Sequence, residues 1–297
     1  MLKTRENRRY QVLCHVVLIL LTLFMIFPFL LLFMSSITEE NTLVMNGYSL
    51  FPEKFSLEAY RYIFQNGDKV FHSYGITILV TLVGTACNLL LTSMLAYGLS
   101  LKKLPFRRVL MFYVFFTMLF NGGLVPTYMM YTGTFHIKNT IFALLVPNLL
   151  MSAVNVLLVR TFFETSIPTA LYEAAEIDGA GHVTVFTKVA LPLGKPILVA
   201  TGLFAALGYW NDWTNGLYYV NQEKYWGIQN LLNKMISDVQ ALSSGLMSKD
   251  MASMIATMPS VSVRMAIAFV AMLPILLVYP FLQKYFAEGI AVGAVKG

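Results

Sequence analysis

Few residues in this chain have the chemistry to act on anything. Three acids, Glu173, Glu176 and Asp178, stand together in the stretch EAAEIDGAGHVTVFTKVALPLGKP at 173–196, among paired small residues and glycines. A second polar group, Trp210, Asn211, Asp212 and Trp213, lies near the end of a long apolar run, and Asn121, Asn148 and Asn155 fall inside others. No nucleophile is patterned with a base, and no acidic, His or Cys cluster has metal-ligand spacing. The nearest approach to the phosphate loop G-x-x-x-x-G-K-[ST] is Gly194-Lys195, with Val189 where the first Gly should be and Pro196 where Ser or Thr should be. The chain is therefore not expected to be an enzyme, to bind ATP, or to hold a metal or other cofactor. A structured polar surface that touches another body is the better use for these acids.

The elements that must position them are set by composition. Hydrophobic residues make up 57% of the 297 residues and charged residues 12%, and the mean hydropathy is +0.66. A soluble domain carries roughly 25% charged residues. The apolar residues are gathered in six runs, Val12–Met34, Ser73–Tyr97, Val109–Met130, Thr140–Val159, Ile197–Tyr219 and Val261–Leu282. A spanning helix needs about 20 such residues. The runs lack the alternation of a membrane barrel, so an all-α bundle of six transmembrane helices is predicted.

Lys3, Arg5, Arg8 and Arg9 precede the first run, and Lys102, Lys103, Arg107 and Arg108 follow the second. The positive-inside rule then places both termini in the cytoplasm. These clusters account for the net charge of +6 as membrane-surface anchors, without a nucleic-acid partner. The first run is too long for a signal-peptide core and is not followed by a small-residue cleavage site, so it is read as an uncleaved span. Cys14 and Cys87 imply neither a disulfide framework nor a metal site.

Counting connections puts 173–196 in the cytoplasm, between the fourth and fifth spans. Pro168 suits a first helical turn, PTALYEAAEID reads as helix, and Gly179 suits its end. Ala174 and Ala175 offer a smooth surface for close approach. A second short helix over Val183–Val189 is apolar enough to lie back on the bundle. On the outer side, Ser56 can cap a short helix from Leu57. FNGGLVPTY at 120–128 should loosen or break the third span, which a membrane tolerates only against protein or a water-filled cavity. Leu231, Leu232, Met235, Ile236, Val239 and Leu242 share one face of an outer helix.

The spacing E-A-A, three residues, Gly179, nine residues, Val189-x-Leu191-Pro192 resembles the signature of binding-protein-dependent ABC importer permeases, departing from it only by Val for Ile. AYGLS before the basic turn, Asn155, Arg160, EIDGAG and the terminal VGAVKG resemble the carbohydrate-uptake branch, in particular the six-span partner of maltose-type permeases. FNGGLVPTY resembles the subgroup linked with oligosaccharides and polysaccharide fragments. The resemblance implies a type I importer permease with a cytoplasmic coupling helix, its contact with an ATPase carried by Glu173, Ala174, Ala175, Asp178, Gly179, Leu191 and Pro192. It implies a heterodimer with a second permease, two cytoplasmic ATPase subunits, an extracytoplasmic solute-binding protein and a carbohydrate substrate, in a bacterial cytoplasmic membrane. Residues 73–282 are expected to form the permease core. Residues 1–72 would hold the tail, first span and outer loop, and residues 283–297 a cytoplasmic tail.

The other polar residues have two uses each. Trp210, Asn211 and Asp212 could contact sugar or binding protein at an outer mouth, or belong to an interfacial aromatic belt. Asn121, Asn148 and Asn155 could line a pathway or bond between helices. Arg264 suits a snorkelling anchor. The rival functions are import of a non-sugar solute and proton-coupled secondary transport. The latter wants acids near mid-membrane, and only Asp212, near an outer end, is available.

Overall fold

The computed structural model describes residues 5–65, 67–243 and 261–294, with side chains at 10–65, 67–237, 261–278 and 280. Lys3, the side chains of Arg5, Arg8, Arg9, Val239 and Leu242, and the last residues of VGAVKG lie outside the described residues. The described elements are helical, and one isolated antiparallel bridge joins Thr38 to Phe55.

Two compact units are formed. One gathers the described residues up to Val70 and from Leu232 to Pro274; the other runs from Phe71 to Leu231 and resumes at Ile275. In the first, helix α1 (Arg5–Ser36) runs unbroken through Pro28. The most apolar 18 residues of its stretch Tyr10–Ser36 are unburied by the chain itself, as a lipid-facing span requires, while Ser35 and Ser36 at its end are buried. Short helices α2 (Glu40–Asn46) and α3 (Glu58–Gln65) follow. As predicted, Ser56 caps α3, its Oγ accepting the Glu58 amide at 3.1 Å.

The second unit contains the acidic stretch. Helix α4 (Gly67–Ser100) is a long apolar span. Helix α5 (Arg107–Leu119) meets α6 (Leu124–Met129) and a π-turn (Met130–Thr134) at a bend of 115°. The break at Asn121-Gly122-Gly123 is the one the sequence predicts. Gly123 takes φ of +83°, which a side chain would disfavour.

The fourth predicted span is not one helix. Helix α7 (Phe142–Leu145) and helix α8 (Ala153–Thr165) flank an irregular segment. Pro147 supplies no amide, and Asn148 is held at φ +61°. The acidic stretch forms α9 (Thr169–Ile177), α10 (His182–Val185), a π-turn (Phe186–Ala190) and α11 (Leu191–Leu193). It turns through 81° into α12 (Lys195–Trp210), followed by α13 (Thr214–Tyr219) and α14 (Ile228–Ser243). The last helix is α15 (Val261–Ala294).

Among the described residues, three helices are long and apolar enough to cross a membrane, or up to five spans if each bent pair is counted as one. This falls short of the predicted six because an apolar run dictates solvent, while Pro147 and Asn148 dictate helix continuity.

Candidate functional site

Helix α9 is anchored on one side and free on the other. Tyr172, Ala175 and Ala180 pack against a core of Ala96, Tyr97, Leu99, Val156, Val159, Phe163 and Ile167. Glu173, Ala174, Glu176 and Asp178 are exposed. The structure thus splits the alanine pair: Ala174 is available to a partner, while Ala175 lets the helix sit close to the bundle. Leu191 is half-buried on the same core, and Pro192 is exposed.

Gly179 ends α9. Its φ is +77°, its amide reaches Glu176 C=O at 3.0 Å, and the Ala180 amide reaches Ala175 C=O at 2.9 Å. This left-handed turn reverses the chain so that Val185, Phe186 and Ala190 return to the core. It also leaves Ile177 86% and Val183 76% exposed on either side of the glycine. The sequence reading did not single out these two as exposed, because it grouped Val183 with the short helix lying on the bundle. Their position around a left-handed glycine was the available signal.

Three further contacts hold the segment. A Cβ on Gly194 would come within 2.5 Å of the Phe163 ring and 2.8 Å of Ala190 C=O, so the turn into α12 depends on that glycine's small size. Arg107 links three helix ends: its Nε donates to Leu99 C=O at 2.8 Å and its Nη2 to Glu164 Oε1 at 2.9 Å. Arg160 holds the other carboxylate oxygen of Glu164. All three side chains are about four-fifths buried, where paired, hydrogen-bonded charges hold one geometry. Lys103 and Glu176 approach to 3.7 Å but are far more exposed, and that pair contributes little. A cleft of about 660 Å³ lies between the basic turn and α9, lined by Lys103, Tyr172, Glu173 and Glu176 among others. Burial, then the neighbouring Tyr97, pushes the Tyr172 phenol up to about 12, so it stays neutral.

The second group of candidates is dispersed. Asp212 Oδ1 accepts the Thr214 and Asn215 amides at 3.1 and 3.2 Å and so caps α13. Trp210 is buried, and exposed Asn211 donates to Leu207 C=O at 3.0 Å. Trp210 and Asp212 border a cavity of about 20 Å³, room for a single water. Asn121 is exposed at the α5–α6 break, Asn148 is exposed in the irregular segment, and Asn155 is buried in α8.

Further residues bond between elements. Tyr209 Oη donates to Leu145 C=O at 2.8 Å, Asn215 Nδ2 to Pro147 C=O at 2.9 Å, and Asn88 Nδ2 to Leu149 C=O at 2.8 Å. The carbonyls of Pro147 and Leu149 in the irregular segment, and that of Leu145 at the end of α7, are thereby satisfied from other elements. Among the described residues, no group of His, Cys, Asp and Glu could hold a metal ion.

This architecture is shared with known proteins. Residues 88–292 match the family described as binding-protein-dependent transport system inner membrane component. The chain is 38% identical to the polygalacturonan/rhamnogalacturonan transport system permease protein YtcP of Bacillus subtilis (strain 168), covering 98% of this chain and 100% of that one. It is 37% identical to Protein LplC of the same organism, over 92% and 90% of the two chains. It also superposes on a chain in the crystal structure of a bacterial ABC transporter involved in the import of the acidic polysaccharide alginate. That match has a TM-score of 0.82 and 28% identity, and covers 96% of this chain and 99% of that one. The chain therefore belongs to the family of binding-protein-dependent transport system inner membrane components, the multi-pass permease subunits of ABC importers.

Proposed function

We propose that this chain is a permease subunit of an ATP-driven importer that moves a carbohydrate across the bacterial cytoplasmic membrane by alternating access. The observation that carries this reading is the α9–Gly179–α10 segment, packed into the bundle on one face and bare of chain on the other. Glu173, Ala174 and Asp178 with Ile177 and Val183 form the face offered to a cytoplasmic ATPase. Ala175, Gly179, Leu191 and Pro192 shape and seat it. Glu164, held between Arg107 and Arg160, ties α8 to the start of α5 and the end of α4. Displacement of α9 would therefore move three helices together.

The full path has six crossings, the fourth running through the irregular segment between α7 and α8, and both termini are cytoplasmic. Residues 73–282 are the permease core, with residues 283–297 a cytoplasmic tail. A second permease, two ATPase subunits and an extracytoplasmic binding protein complete the assembly, and the outer helix α14 helps receive the binding protein. The substrate is an oligosaccharide, with uronic-acid-containing fragments the best candidates. This follows the names of similar proteins, which concern polygalacturonan, rhamnogalacturonan and alginate.

The test uses Glu173→Lys and Gly179→Val in the assembled transporter. The first reverses a charge on the offered face; the second forces a β-branched residue at φ +77°. Both are expected to insert into the membrane, lose uptake of labelled oligogalacturonides, and shed the ATPase on purification. Wild-type uptake with the ATPase attached in both variants would overturn the coupling role. Uptake of a non-sugar solute alone would overturn the substrate class.

A further inference from the structure

The break between α5 and α6 lacks what closes the other interruption. The last helical bond of α5 runs from Phe120 N–H to Phe116 C=O at 3.0 Å, and bonding resumes from Thr127 N–H to Gly123 C=O at 3.4 Å. Between them the Gly123 amide finds Asn121 Oδ1 at 2.8 Å. Among the described residues, no hydrogen bond is formed by the amides of Asn121 and Gly122 or by the carbonyls of Leu119, Phe120, Asn121 and Gly122.

The place of the break makes this consequential. Helix α5 has 13 residues and starts at the basic turn. It rises about 20 Å into a hydrocarbon layer of about 30 Å. The break therefore lies inside the apolar layer, where lipid cannot pair with backbone groups and each open one costs several kcal/mol. A water-filled path would satisfy the backbone, but its flanks are apolar. Leu119 is 78% exposed, Phe120 63%, Leu124 50% and Val125 66%. A surface with open backbone groups at its centre and large apolar side chains around them fits a protein that is itself mixed in the same way.

We infer that Phe120–Gly123 is a contact surface for the second permease subunit, which brings side-chain amides or hydroxyls to the open backbone groups. The chemistry is that already used within this chain, where Asn88, Asn215 and Tyr209 reach the carbonyls of Leu149, Pro147 and Leu145. The inference rests on the reading of this chain as one of two permease subunits.

The experiment uses the complete transporter in native membranes, with the photoreactive residue p-benzoylphenylalanine placed at Phe120 or at Leu124. The expected product is a covalent adduct with the second permease, identified by mass spectrometry. In the complex, a cysteine at Gly122 is expected to react with a water-soluble maleimide about tenfold or more slowly than one at the exposed Gln222, since a packed interface excludes water. If the second permease co-purifies but neither position gives the adduct, the contact is elsewhere and the inference fails while the permease reading stands. Rapid maleimide labelling in the complex assigns the break to a water-filled path and also overturns it. If no second permease co-purifies with the unaltered chain, the underlying reading fails.

Discussion

Two interruptions of apolar helix in one chain, at 120–123 and at 146–152, are treated in opposite ways. The second is closed. Its Pro147 and Leu149 carbonyls accept from Asn215 and Asn88, Leu145 C=O at its edge accepts from Tyr209, and Leu145 and Pro147 are buried. The first is open, with every residue from Leu119 to Val125 exposed and one side-chain contact, Asn121 to Gly123, inside it. In water the difference would matter little, because solvent would satisfy either. In a membrane a closed break is a finished part of the subunit, and an open one is half of a contact. The comparison separates polar residues that hold the subunit together from open polar positions that the proposed second permease would satisfy.

The largest effect is expected from Gly84→Ala. A Cβ at Gly84 would stand 2.4 Å from the Tyr209 ring, which is buried and bonded to Leu145 C=O. Overpacking and the displaced hydroxyl together should cost about 3 kcal/mol. That loss is read from detergent-induced unfolding of the purified chain; no change would mean that the ring has room to move. Asn215→Leu comes next, at about 2 kcal/mol, because it leaves the buried Pro147 carbonyl short of one donor. A cost near the 0.6 kcal/mol average for polar contacts in membranes would show that the segment is held by packing instead. Tyr209→Phe keeps the ring and removes one bond, for about 1 kcal/mol. At the open break, Asn121→Ala frees the Gly123 amide, and in the chain purified alone in detergent, where water can reach that amide, the cost should stay below about 0.5 kcal/mol. A cost there as large as at Asn215 would erase the distinction between the two breaks.

How much of this was readable beforehand differs by feature. Gly122, Gly123 and Pro126 announce a break by residue type alone, because glycine frees the backbone and proline removes a donor. Pro147 and Asn148 carry a similar warning, yet the apolar residues around them read as an uninterrupted span. The end of α9 at Gly179 and the return of the chain toward the core were legible from spacing. The inward place of Ala175, the exposure of Ile177 and Val183, and the close approach at Gly194 were not. Each depends on which face of a short helix meets Phe163, Tyr97 and their neighbours.

Asp212 shows how a residue's type can leave its role open. An acid between two tryptophans near the end of a span suits either an outer-mouth contact or an interfacial belt, and the structure adds a third use, the cap of α13. Asn88 is the converse. It lies inside the second apolar run, where its type suggests no role, and it donates to a carbonyl 61 residues away in sequence.

What the sequence by itself determined is the solvent, the helical class and the family motif around Gly179. Those follow from composition, run length and local spacing, which act over a few residues at a time. Which break is closed, which alanine faces outward and which polar groups meet were decided only by tertiary structure. Hydrogen bonds across helices join residues far apart in the chain, and no local pattern specifies that Asn88, Tyr209 and Asn215 converge on the carbonyls of residues 145, 147 and 149.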